Sequence, residues 1–138
     1  MIIDSSDTFS PELLQALKKD ILSSLRVALP GIVQSYDPET RTAAVQPAVR
    51  SRVTSAGAPV PFPLLREVPV FAPRFSDDSI RLDIRPGDMC LLIFADVNTE
   101  GWYETGTAAV PPSGRRHDLS DAFAFAGIWP KTNRGDAP

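Results

Sequence analysis

Apolar residues fall at helical spacing near the start of the chain and at strand-like spacing after it. Leu14, Leu17, Ile21 and Leu25 lie on one stripe, widened by Leu13 and Leu22, while Lys18, Lys19 and Asp20 take the wet side. Ser10-Pro11-Glu12 supplies a hydroxyl cap, a proline where its missing N–H does not matter, and an acid at the positive end of the dipole. The pattern predicts an amphipathic helix over residues 11–25. A helix of about 15 residues is only marginally stable alone in water. It therefore needs a surface to lie on, either its own domain or another subunit, and Leu14, Leu17, Ile21 and Leu25 form the docking face.

From Arg26 the period changes. Val27, Leu29, Pro30-Gly31 and the run Ile32-Val33-Gln34-Ser35-Tyr36 read as extended, and Asp37-Pro38-Glu39-Thr40 is a type I turn signal, because proline presets φ at the second turn position. A return strand from about 41 to 53 completes a hairpin, with Val49-Arg50-Ser51-Arg52-Val53 alternating as a half-buried strand does. Between Pro59 and Pro73 prolines interrupt Phe62, Leu64, Leu65, Val68, Val70 and Phe71, so any strand there is short and near an edge.

Ile80, Leu82 and Ile84 alternate against Arg81, Asp83 and Arg85, which predicts a strand over residues 79–84 before a Pro86-Gly87 type II turn. Met89-Cys90-Leu91-Leu92-Ile93-Phe94-Ala95 is unbroken apolar sequence of strand length, which predicts a central strand buried on both faces. Gly101-Trp102-Tyr103-Glu104-Thr105-Gly106 reads as a short strand or a loop with a protruding aromatic pair, and residues 122–129 close the apolar series.

At least five short, turn-connected β segments after one helix describe a mainly β fold: a small five-stranded OB-fold-like barrel preceded by an N-terminal amphipathic helix. The expected organisation is a helical arm over 1–25, the barrel over 26–130 and a flexible tail over 131–138. No internal repeat is present, so a β-helical needle is not encoded here.

Composition narrows the function. The 14 prolines, roughly twice the average usage, exclude long helices after Pro30. A formal net charge of −3 gives no electrostatic footprint for nucleic acid, whose binding rests on clustered Lys and Arg. The single Cys90 cannot form an intrachain disulfide and is most simply a core residue. No stretch approaches the roughly 20 apolar residues that span a bilayer, and the acidic start is unlike a secretory signal.

Candidate chemistry centres on Arg115-Arg116-His117-Asp118-Leu119-Ser120-Asp121. His117, Asp118 and Asp121 are metal-ligand types, but His117 is the only histidine and no further imidazole completes a shell. A Ser-His-Asp hydrolase lacks a Gly-x-Ser-x-Gly elbow. The structural reading is that charge-assisted hydrogen bonds pin a loop before the last strand, with Asp118 or Asp121 capping a turn. Trp102 and Tyr103 could stack on a base or sugar or fill a subunit interface. Arg134-Gly135-Asp136 matches an adhesion tripeptide that recurs by chance.

Several of these runs together resemble one family. Residues 26–33 with Tyr36-Asp37-Pro38, Pro86-Gly87-Asp88 before the strand ending Phe94-Ala95-Asp96, and Pro111-Pro112-Ser113 leading into Arg-Arg-His-Asp-Leu-Ser-Asp-Ala-Phe at 115–123 resemble, in the same order, the N-terminal domain of phage membrane-piercing spike proteins. The family is akin to baseplate assembly protein V. The resemblance implies a non-enzymatic homotrimeric OB-fold collar at the centre of a contractile tail baseplate, in the virion, with no cofactor. Its implied partners are a tail hub or tube protein, on which the helix docks, and a needle or tip. The chain ends at Pro138 without the family's β-helix or tip histidines, so a separate β-helical needle protein is expected to supply the point, with no direct membrane insertion by this chain. Two alternatives stand beside this reading: a stand-alone OB-fold module for oligosaccharide or single-stranded nucleic acid using Trp102 and Tyr103, and a metal-dependent hydrolase centred on His117, Asp118 and Asp121.

Overall fold

A computed structural model of the protein describes residues 10–50, 60–76 and 78–132. Helix α1 (Pro11–Ser24) starts where the cap predicts, with the Ser10 side chain accepting from the Leu13 amide at 3.1 Å. None of its residues is buried. Strands β1 (Ala28–Asp37), β2 (Thr42–Pro47), β3 (Leu65–Pro69), β6 (Met89–Phe94) and β7 (Ala122–Ala126) form one antiparallel sheet in the order β3-β2-β1-β6-β7. The sheet curls until its two edges meet: Val70, just past β3, bridges Ala124 in parallel, and the Phe71 amide donates to the Ala124 carbonyl at 2.8 Å. This is an OB-fold-like half-barrel, as the strand count predicts.

β1 runs through Pro30-Gly31 without a break because the sheet accommodates both. Pro30 faces the end of β2, where its carbonyl accepts from Ala48 and no ladder donor is needed. Gly31 lies where the sheet is tightest: a Cβ there would sit 2.6 Å from Val45 Cγ1 and 3.1 Å from both Cys90 Sγ and Leu92 Cδ1. The core is made of inward-facing residues of all five strands, among them Val33, Val45, Leu65, Val68, Cys90, Leu92, Phe94 and Ala124. In β3 the residue Glu67 takes φ 53°, and the ladder with β2 shifts register opposite it, so Arg66 and Glu67 both face solvent between buried Leu65 and Val68. The stretch before β3 is tied down through Phe62, whose carbonyl accepts from Gln46 Nε2 and whose ring lies 5.0 Å from the Arg26 guanidinium.

Four expectations are corrected. The return strand stops at Pro47, where the ladder to β1 ends; Val49 and Arg50 are exposed, and Ser51, Arg52 and Val53 lie outside the described residues. Residues 80–84 form no strand. Only the two-residue β4 (Arg74–Phe75) and β5 (Asp78–Ser79) pair there, since neither edge of the main sheet is offered to this segment; Leu82 and Ile84 are half-buried without a ladder. The aromatic segment is a short helix, α2 (Glu100–Thr105), closed by Gly106 at φ 74°, a position that suits glycine. Finally, β6 is central in hydrogen bonding but not buried on both faces: Cys90, Leu92 and Phe94 point inward, whereas Met89 and Leu91 are half-buried and Ile93 is exposed. Arg134-Gly135-Asp136 lies outside the described residues.

Candidate functional site: the loop latch at the barrel end

The strand β6 ends at Phe94, and the chain then makes α2 and a long excursion before a 3-10 turn at Leu119–Asp121 delivers it into β7. Asp121 is the pivot. Its backbone carbonyl accepts from Ala95, which holds the excursion's two ends together, and its side chain is 1% exposed. Arg115 grips that carboxylate with both arms of its fork, Nε to Oδ2 at 2.8 Å and Nη2 to Oδ1 at 2.9 Å. The Thr99 amide and hydroxyl add bonds to Oδ1 at 3.1 and 3.2 Å.

Around this pair the remaining polar groups are satisfied. Arg115 Nη2 also reaches Asn98 Oδ1 and Glu100 Oε1, each at 3.1 Å, and buried Asn98 donates to Ser113 Oγ at 2.9 Å. Among the described residues no buried side-chain nitrogen or oxygen lacks a partner. Burial pushes the Asp121 carboxyl up, but the bonds from Arg115 and the Thr99 amide outweigh it and hold the group below its ordinary range. The bond to Asp121 raises the already basic Arg115 guanidinium further. Asp121 is a carboxylate at neutral pH, and both its oxygens are hydrogen-bonded within the latch.

The other charges of the run do different work. Asp118 caps the 3-10 turn, its carboxylate accepting from the Ser120 amide at 2.8 Å. His117 sits at φ 47°, an uncommon backbone conformation for a non-glycine, and two contacts over-determine it. Its Nδ1 lies 2.7 Å from the Arg26 carbonyl and so carries the proton, while Nε2 lies 3.2 Å from Asp96 Oδ1. Arg116 approaches the same Asp96 at 3.4 Å from an exposed position. The sequence run thus separates into one pair, half-buried Arg115 on buried Asp121, and a second cluster, in which exposed Arg116 and half-buried His117 meet Asp96 and His117 alone ties the loop to Arg26 between α1 and β1. His117, Asp118 and Asp121 do not converge; among the described residues no three His, Cys, Asp or Glu side chains are placed to hold a metal.

Trp102 and Tyr103 lie on α2, each about half exposed, with their rings tilted by 49° rather than coplanar. Trp102 also leans on Phe123 of β7 at 6.1 Å between ring centroids. Asn98, Thr99 and Glu100 are the members of the latch that sequence reasoning missed. Their signal was present, because Asn-Thr-Glu after an apolar strand is helix-start chemistry, but Arg115 comes fifteen or more residues later and nothing local points to it.

The barrel from Leu29 onward, the latch and the strand into which it feeds fall inside one matched region: residues 29–127 match the family described as phage protein Gp138 N-terminal domain. The chain belongs to that family. No curated protein matches the chain. A Gp138 N-terminal domain is a phage structural domain, and here the specific Arg-Arg-His-Asp-Leu-Ser-Asp run of this Gp138-family chain builds a loop anchor at the barrel end. No helix among the described residues is long and apolar enough to cross a membrane.

Proposed function

We propose that this chain is a structural subunit of a contractile phage tail baseplate: a homotrimeric OB-fold collar of the central spike, joining the tail hub to a needle or tip. The observation that carries the reading is the match of residues 29–127, all of the barrel but the first residue of β1, to the phage Gp138 N-terminal domain family. The latch supports it, since its hydrogen-bonding capacity is spent on holding a long loop rigid, as a load-transmitting part requires. The residues that could have served catalysis are occupied in the same way: Asp121 by Arg115 and Thr99, Asp118 by its own turn. On this reading the protein is not an enzyme and takes no cofactor.

Light scattering on the purified chain tests the collar. A mass of three chains is expected, and a monomer at micromolar concentration, alone and with the hub protein of the same particle, would overturn it. Co-purification of the hub with a tagged collar tests the linkage separately.

A further inference from the structure

The outer wall of the barrel is divided. Across β1, β6 and β7 the outward positions form rows, Ala28–Ile93–Phe123, Pro30–Leu91–Phe125 and Ile32–Met89, and every member is apolar. Phe71 extends the patch by stacking on Phe125 at 5.0 Å, and Trp102 extends it beside Phe123. No charge interrupts it. Ala28, Pro30 and Ile93 of these rows are exposed and the other row members half-buried. The same chain carries a second, more exposed apolar surface, the stripe of Leu13, Leu14, Leu17, Ile21, Leu22 and Leu25 along α1 and its C-cap, each between 41% and 61% exposed.

The two surfaces fit each other in size and chemistry. The 14 residues of α1 make a rod of about 21 Å, and the six residues of β6 make a wall of about 20 Å. Leu17, Ile21 and Leu14 would make the centre of the contact. Lys19 lies on the far side of the helix, while Lys18, one turn from both Leu14 and Leu22, and Asp20, beside Leu17, flank the stripe and would reach water past its edges. A helix laid on a sheet face is the ordinary way for each to bury its apolar side.

The chain's own α1 is held away from its own wall. Only Leu25 and Arg26 separate the helix from Val27, whose carbonyl already accepts from Phe94 at 3.0 Å. Leu25 is extended, at φ −82° and ψ 114°, and the Arg26 carbonyl is taken by His117 Nδ1. The connection has no slack for the reversal that would fold the helix back.

We infer that α1 of one copy lies along the outer face of β1, β6 and β7 of a second copy, so that each collar subunit passes an arm to its neighbour. The contact is head-to-tail, and it closes into a ring when the rotation between copies allows. The inference rests on the trimeric reading above and adds the surfaces that make it.

Cysteines placed at Ile21 and Ile93 test it, because the native Cys90 is buried and out of reach of reagents. Full-length Ile21→Cys protein mixed with full-length Ile93→Cys protein and treated with a short bismaleimide should give a two-chain band on a denaturing gel. A light-scattering trimer that yields no such band would overturn the arm exchange and leave the trimer standing. A monomer whose double-cysteine variant links only within one chain would overturn both. A monomer with no link at all would also overturn both and would assign α1 to a different protein.

A second variant guards against misfolding. Ile21→Glu puts a carboxylate into the contact, and it should raise the concentration at which the assembly dissociates by about a hundredfold or more. The thermal midpoint of the barrel, measured on the dissociated chain, should not move. Unchanged assembly would overturn the inference.

Discussion

The two faces of β6 and β7 are equally apolar in sequence and differently treated by the fold. Inward, Cys90, Leu92, Phe94, Ala122 and Ala124 are each at most 4% exposed and meet close neighbours from the other strands. Outward, Met89, Leu91, Ile93, Phe123 and Phe125 alternate with them at the same spacing, and none of them is fully covered by the described residues. Apolarity on the inside is explained by the monomer. On the outside Ile93 is exposed and the other four are half-buried, and a contiguous apolar patch of this kind marks an interaction surface more often than an ordinary wet face. By contrast, Thr42, Ala44 and Gln46 of β2 and Arg66 and Glu67 of β3 give the other half of the outer wall an ordinary wet surface. One barrel therefore has a polar outer side and an apolar outer side, and the inferred arm exchange would cover the second.

The inner face should be the more sensitive to change. Leu92→Ala opens a cavity at a residue with 0% exposure and should lower unfolding free energy by about 3 kcal/mol or more, read from the denaturant midpoint. Arg115→Ala comes next, at about 3 kcal/mol, because it leaves the Asp121 carboxylate buried without its cation. Gly31→Ala forces a methyl against Val45 and should cost about 1–3 kcal/mol, whereas a chain in which β1 kinked away from β2 would tolerate it.

The latch also sets a pH dependence. Asp121 is held below its ordinary value of 3.8, so the folded state binds fewer protons than the unfolded state in that range. Its contribution is present at neutral pH and is lost as pH falls through and below the ordinary carboxylate range. Asp121→Asn should flatten the fall of the chemical-denaturation midpoint across that window. A slope unchanged by the substitution would assign the acid sensitivity to other carboxylates.

The half-barrel was legible because its signals are local: the Ser10-Pro11 cap, the Asp37-Pro38 turn, the prolines that confine β3 to an edge, and the uninterrupted β6. What failed to show were properties set by partners distant in sequence. The alternation at residues 80–84 is a strand pattern with no edge to join, and periodicity alone carries no information on whether a partner exists. The aromatic segment was misread because its helix depends on the turn chemistry of Asn98, Thr99 and Gly106 rather than on an apolar period. In the latch, the Arg115–Asp121 run announced charge-assisted bonding, but its other half, Asn98 to Glu100, is brought there by the barrel. The continuous apolar run of β6 predicts burial on both faces, whereas the sheet buries Cys90, Leu92 and Phe94 and leaves Ile93 exposed, because apolarity does not encode which face the chain itself covers.

Cys90 and Ile93 give the sharpest test of the divided wall, because they lie three residues apart on opposite faces of one strand. Burial pushes the Cys90 thiol up to about 11, against a smaller opposing effect from its bond with the Gly31 backbone, so it is neutral and shielded at pH 7. It should resist Ellman's reagent until the barrel opens. A cysteine at Ile93 in the dissociated chain should react at once, and Ile93→Ser should change the stability of that chain by no more than about 0.5 kcal/mol. The same Ile93→Ser change in the assembled protein should weaken association far more than it weakens folding. If instead Ile93→Ser destabilised the isolated chain as Leu92→Ala does, the outer face would be covered within the monomer and the difference between the two faces would vanish.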